Sequence, residues 1–245
     1  DIVSYMPSPE SRKIAGVNMK TKEIFEANYD FAKAKSAFIF KTIVDPFIGK
    51  YSMIKIASGV IKSDDTLYNE ARDEEDRISK LYVFEGSRPI EVKELHAGDI
   101  GAIGKLDAAT GDTLSTKANP IAYGKIEVST PYTYKRYRAK LKGEEDKVAQ
   151  ALAKMAQEDL TIKVVNDGEN RQTLLYGMGD QHLDIIASQL LTKYKVDMTL
   201  EKPKVAFRET IRKSSDEYSK NKKQSGGHGQ NGHVKMRFSP LGDLE

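Results

Sequence analysis

The sequence predicts a multi-domain protein: a small closed all-β barrel, then an α+β layer of ferredoxin-like order, then an incomplete third domain. Three observations predict it. Short apolar runs parted by turn residues fill residues 34 to about 116, as a small barrel requires. After Asn119-Pro120 the runs switch between strand and helix period in the order β-α-β-β-α-β. Residues 204–245 add strand signals but too few apolar positions for a separate core. The expected segments are 1–32, a tail and linker; 33–118, the barrel; 119–202, the ferredoxin-like layer; and 203–245, the third domain.

Residues 1 to about 32 keep no sustained period. Ile2, Val3 and Met6 can close a helix, which Pro7 and Pro9 end. Strands are expected at 37–44, 51–57, 66–68, 78–84, 100–106 and near Leu114. Asp45-Pro46, Ser58-Gly59, Ser63-Asp64-Asp65, Glu85-Gly86-Ser87, Ala97-Gly98-Asp99 and Thr110-Gly111-Asp112 part them. In the layer, 132–141 reads as a strand and 144–157 as a helix. Glu144, Glu145 and Asp146 open that helix, where acids suit its dipole. Val148, Leu152, Met155 and Ala156 form its apolar stripe. Residues 161–165 and 172–176 pair across Asn166-Asp167-Gly168. Gly177-Met178-Gly179-Asp180 leads into a second helix, with Leu183, Ile186, Ala187, Leu190 and Tyr194 on one face; 196–200 is the last strand. Each helix has one stripe, so both should cover the same side of a four-stranded sheet. Beyond Pro203, 205–212 reads as a strand, 220–224 as polar loop, and 233–240 as an alternating strand behind a glycine loop.

The 245 residues are 39% hydrophobic and 31% charged, with a net charge of +3. There is no cysteine, which excludes disulfides and thiolate metal sites and fits a cytoplasmic setting. No apolar run approaches the ~20 residues of a membrane span, and no secretory signal pattern opens the chain. Charge is uneven. Residues 132–142 hold five basic residues and no acid, and 208–223 hold six basic and three acidic residues. Such runs serve either as solvated faces or as contacts to phosphate.

Gly227, Gly229 and Gly232 have G-x-G-x-x-G spacing. A dinucleotide site needs that loop between a strand and a helix, whose amides hold the pyrophosphate. Here the loop opens a strand, so that reading is rejected. No G-x-x-x-x-G-K-[ST] is present. Asn221-Lys222-Lys223 begins like a guanine-reading motif, but Gln224 stands where an acid would bind the base. His228 and His233 lack further ligands of matching spacing. His182, Asp180 and Asp184 cannot converge from one helix; a capping acid and a half-buried imidazole are expected. His96 falls in a turn, and no nucleophile and base are paired.

Five stretches carry a resemblance. They are DPFIGKYSMIKIASGVIKSDDTLYN and AGDIGAIGKLDAATGDTL in the barrel; ALAKMAQEDLTIKV and LLYGMGDQHLDIIASQLLTKYKVDMTLEKPKVAFRETI in the layer; and KKQSGGHGQNGHVKMRFSPL at the end. In that order they resemble bacterial elongation factor G, a translational GTPase, over almost the whole chain. DIVSYMPSP looks like the tail of that family's GTPase domain. The resemblance implies domain II, a translation-factor-type barrel; domain III, the ferredoxin-like layer; and the start of domain IV. The family's usual G-M-G-E-L-H-L-E is here GMGDQHLD, and His228 stands where arginine is usual. Gln181 and GGHGQ are similar to the elongation factor G-like paralogue branch, some members of which are thought not to translocate.

The resemblance implies a segment that binds the ribosome and relays conformation without catalysis. GTP and Mg would belong to the GTPase domain, so no cofactor is expected here. The implied partners are rRNA, ribosomal proteins and the GTPase domain of the same parent chain, with no membrane and no DNA. Candidate ribosome or RNA contacts are Arg136, Arg138, Lys140, Lys220, Lys222, Lys223, His228 and Gln230. Gly177, Gly179, Gly226, Gly227, Gly229 and Gly232 are expected to serve structure. Strand alternation sends Lys135, Tyr137 and Ala139 to one face and Arg136, Arg138 and Lys140 to the other. The Tyr137 side should be buried and the cationic side exposed. A cationic sheet face can hold RNA, but the layer shows no aromatic pair of the RRM kind, which argues against stacking readout. The alternatives are a stand-alone RNA-binding module, a paralogue with another ribosomal role, and a metal or nucleotide enzyme using the histidines.

Overall fold

The computed structural model describes residues 2–8, 11–45, 49–209, 211–223, 226–227 and 229–240. These divide into two compact units, 1–203 and 204–245.

The first unit opens with helix α1 (Ile2–Tyr5), then strands β1 (Ala15–Asn18) and β2 (Ile24–Glu26). These strands are too short to show a period. The barrel strands follow: β3 (Ser36–Asp45), β4 (Gly49–Ser58), β5 (Val60–Lys62), β6 (Thr66–Asn69), β7 (Glu74–Arg77), β8 (Leu81–Glu85), β9 (Arg88–Val92), β10 (Glu94–His96), β11 (Ile100–Gly104) and β12 (Thr113–Ser115). Eight of them form one sheet in the order β7-β6-β12-β3-β4-β11-β8-β9, and β5 pairs with β10. Both sets wrap one core that includes Ile39, Ile54, Ile56, Ile61, Leu67, Leu95, Ile103 and Leu114. Their alternation is the reason: each strand turns one row of apolar side chains inward.

Strand β13 (Ile121–Ala122) pairs with β1 rather than entering the α/β layer. The next residue stays with the barrel too. The Tyr123 hydroxyl lies 2.6 Å from Ser36 Oγ, and burial pushes its pKa up to about 12. The first strand of the layer begins at Thr133.

The layer contains β14 (Thr133–Ala139), α2 (Glu145–Glu158), β15 (Lys163–Asp167), β16 (Gln172–Gly177), α3 (Asp180–Tyr194) and β17 (Met198–Glu201). The sheet order β15-β16-β14-β17 places the first and third strands side by side, all antiparallel. Both helices cover one face. Val148, Leu152 and Met155 of α2 meet Leu183, Ile186 and Leu190 of α3 over Leu175 and Met198. Gly177 permits this closeness: a Cβ there would sit 2.9 Å from Leu183 Cδ2. Gly179 has extended backbone and open space around it, so no glycine is demanded sterically.

One side chain ties layer to barrel. Glu158, the last residue of α2, accepts a hydrogen bond from the Val44 N–H of β3 at 2.7 Å. It also pairs with Lys193 of α3 at 2.7 Å. Glu158→Ala removes the acceptor for that strand amide and the carboxylate beside Lys193. The expected loss is about 1–3 kcal/mol, with faster hydrogen exchange at the Val44 amide. Unchanged exchange there would show that the clasp does not hold.

In the second unit, β18 (Ser215–Lys223) and β19 (Gln230–Phe238) form an antiparallel ribbon. Two expectations are corrected. Residues 220–223 are strand, not loop, because β19 supplies a ladder that their polar composition could not announce. Residues 205–209 and 211–212 form no strand, for no described neighbour pairs with them. Among the described residues, the glycine segment is followed by strand β19. Gly226 has φ +86, a conformation that favours glycine. A Cβ on Gly227 or Gly232 would meet nothing within 4 Å.

Candidate nucleic-acid interface

The candidate residues fall on two surfaces, one in each unit. On β14, Tyr137 and Ala139 pack on the layer core, and burial raises the Tyr137 hydroxyl above its ordinary value. Lys135, on the same side, reaches Asp180 at the start of α3 (3.1 Å). Asp180 therefore caps nothing: Gly179 is the N-cap and makes no side-chain bond. Tyr134, Arg136 and Arg138 stand on the open face.

That face is less freely cationic than alternation suggests. The Arg136 side chain is only 15% exposed. Arg136 and Arg138 share Glu201 of β17, at 3.7 and 3.4 Å. Lys140 pairs with Asp197 at 2.6 Å. The cause is register. Arg136 lies directly opposite Glu201, a pairing invisible along the chain. The ladder between β14 and β16 stops at Arg136↔Leu174. Beyond it the strands part around a cleft of about 560 Å³. Arg136, Arg138, Lys140, Lys142 and Arg171 line it, with Glu145 and Asp146. Lys142 and Arg171 extend the cationic set, and only the fold reveals Arg171 as a member.

The open face also holds an aromatic pair. The rings of Tyr134 and Tyr176 stack with centroids 4.9 Å apart and planes at 26°. The expectation of no such pair was wrong because the two tyrosines are far apart in sequence. They meet because first and third strands are neighbours, with Tyr134 directly opposite Tyr176. The β-α-β-β-α-β order was the signal that could have exposed them.

The ribbon sorts its residues by alternation. Tyr218, Lys220 and Lys222 share a face with Lys235, His233 and Asn231, their cross-strand partners. The other face carries Val234, Met236 and Phe238, and with them Lys223 and Gln230. The candidates Lys220 and Lys222 are thus separated from Lys223 and Gln230. On the cationic face, Tyr218 Oη lies 2.9 Å from His233 Nδ1, and Lys235 Nζ lies 5.8 Å from the Tyr218 ring centroid. Arg237 is paired with Asp216, whereas Lys220 and Lys222 point at no carboxylate among the described residues. His228 lies outside the described residues.

His182 has a structural partner set. Its Nδ1 accepts from the Met178 N–H at 3.1 Å, which leaves Nε2–H to donate to Asp159 Oδ2 at 3.1 Å. Burial works to raise the Asp159 carboxyl, but bonds from Thr161 and His182 prevail and hold it below its ordinary value. This arrangement fastens the start of α3 to the end of α2. Among the described residues no three acidic or histidine side chains gather as a metal site, and no helix is long and apolar enough to cross a membrane.

Comparison with known proteins follows the same divisions. The family described as elongation factor G domain 2 matches residues 34–117, elongation factor G domain III matches 128–202, and elongation factor G domain IV matches 203–245. A crystal structure of a protein from Thermus thermophilus is similar at 30% identity and a TM-score of 0.72, over 96% of this chain and 33% of that one. The chain thus spans about a third of the length of that relative. With a barrel, a split βαβ layer and a ribbon each matched in family order, the chain belongs to the elongation factor G family, over its domains II, III and IV.

Proposed function

We propose that this chain is the ribosome-binding, conformation-relaying part of an elongation factor G-like translational GTPase that acts in the cytoplasm during translation elongation. The observation that carries the reading is the ribbon face in the domain IV segment. Lys220, Lys222 and Lys235 stand together there, and none of them is ion-paired among the described residues, while the face's Asp216 is held by Arg237, which suits contact with phosphate. The Glu158 clasp supports the relay, since it links strand β3 of domain II to both helices of domain III. Catalysis is assigned elsewhere in the parent protein: the matched domains are II, III and IV, and GTP with Mg would be held by its GTPase domain. GMGDQHLD and GGHGQ favour the paralogue branch, whose ribosomal role need not be translocation.

The test is sedimentation of the full chain with ribosomes over a salt series. Co-sedimentation that falls with rising salt is expected. A chain left in the supernatant at low salt removes the reading. The rival, a stand-alone RNA-binding module, is favoured by the cation-lined cleft of the layer. It predicts equally tight, steeply salt-dependent binding to isolated RNA without ribosomes.

A further inference from the structure

The stacked tyrosines are not explained by phosphate contact. Tyr134 and Tyr176 face away from the helices, because their strand neighbours Lys135 and Leu175 occupy the other side, Leu175 in the core and Lys135 on Asp180. Tyr134 remains 42% exposed. Lys163 of β15 is the direct cross-strand partner of Tyr176, and it pairs with no carboxylate among the described residues. Arg136 follows Tyr134 two positions along the same face. Arg136 is mostly covered and faces Glu201, so the patch is aromatic in the middle with Lys163 as the unpaired cation at its rim.

The geometry points to a site for unpaired RNA on this sheet, with a base stacked on the Tyr134–Tyr176 pair and the flanking phosphate met by Lys163. A planar base satisfies the ring face, and its phosphates satisfy the rim. A duplex offers phosphates but keeps its bases stacked on one another. An apolar protein surface would cover the tyrosines but strip water from Lys163 without pairing it. The first and third strands of a β-α-β-β-α-β sheet carry the aromatic pair in RRM domains for the same reason: they are adjacent at its centre. The inference deepens the ribosomal reading, on which it rests, by naming the RNA as single-stranded.

The test uses the full chain and an unstructured hexaribonucleotide carrying 2-aminopurine, whose fluorescence falls when it stacks. Binding with quenching is expected. Tyr134→Ala and Tyr176→Ala should each abolish the quenching and weaken binding by about tenfold or more. Tyr134→Phe and Tyr176→Phe should keep both, since a phenyl ring stacks as well; this separates stacking from damage to the fold. Lys163→Gln should weaken binding while the quenching at saturation persists. Alanine variants that bind and quench like the parent overturn the site. So do crosslinks from a photoreactive residue at position 134 that land on ribosomal protein rather than RNA. Ribosome sedimentation is measured in parallel. Sedimentation without quenching overturns the tyrosine site and leaves the ribosomal reading standing. Quenching without sedimentation keeps the site and overturns the ribosomal reading.

Discussion

Gly59→Ala is expected to destabilise the barrel by about 2–5 kcal/mol, summing a left-handed backbone penalty and forced overpacking. Gly59 is the corner at which β4 passes into β5. Its φ is +73, and a Cβ there would lie 2.9 Å from Lys35 Cα and 3.0 Å from Lys33 O. Those obstacles are backbone atoms, so they cannot rotate away. Nor can the corner retreat. The Gly59 N–H donates to Asp30 O at 2.8 Å, and its carbonyl accepts from the Ala97 N–H at 3.0 Å. Gly86→Ala is the matched control. Gly86 has φ +61 but open space where a Cβ would be, so only the conformational part, roughly 1–2 kcal/mol, should appear. Urea unfolding of both variants decides the matter. Equal losses would mean that the backbone at residues 33–35 relaxes freely.

The triple change Lys220→Gln, Lys222→Gln and Lys235→Gln should lower the slope of log affinity against log salt by about 2 to 2.7 for ribosome binding, at about 0.7 to 0.9 for each phosphate no longer neutralised. The three side chains share one ribbon face. All three are exposed, so their removal should change stability by no more than about 0.5 kcal/mol. Lys223→Gln tests the face assignment. Lys223 has the same charge and lies one residue from Lys222, but it projects with Val234, Met236 and Phe238. The slope should be nearly unchanged in that variant. If Lys223 matters as much as Lys222, charge density along the chain is the determinant and the ribbon face is not.

The elements differ in how plainly they could be read from sequence. Helices α2 and α3 were legible because Val148, Leu152 and Met155, and then Leu183, Ile186 and Leu190, recur at helical spacing and are buried. Strands β1, β2 and β13 were not, having four residues or fewer. β18 was hidden for another reason. Every residue of Ser215–Lys223 is exposed, so no burial pattern marks its face. The cations of β14 were visible as a run, but their carboxylate partners were not. Glu201 and Asp197 are about sixty residues away, and they arrive only when β17 docks against β14.

Sequence alone determined the order of barrel and layer, the two helical stripes and the rejection of a dinucleotide site, and its motifs carried the resemblance to the family. The first three follow from local spacing, which the chain carries wherever it is placed. Tertiary structure alone decided which lysines lack acidic neighbours, where Glu158 clasps the barrel, and that Tyr134 and Tyr176 stack. These depend on register between distant strands, where a slip of one residue turns every side chain to the opposite face.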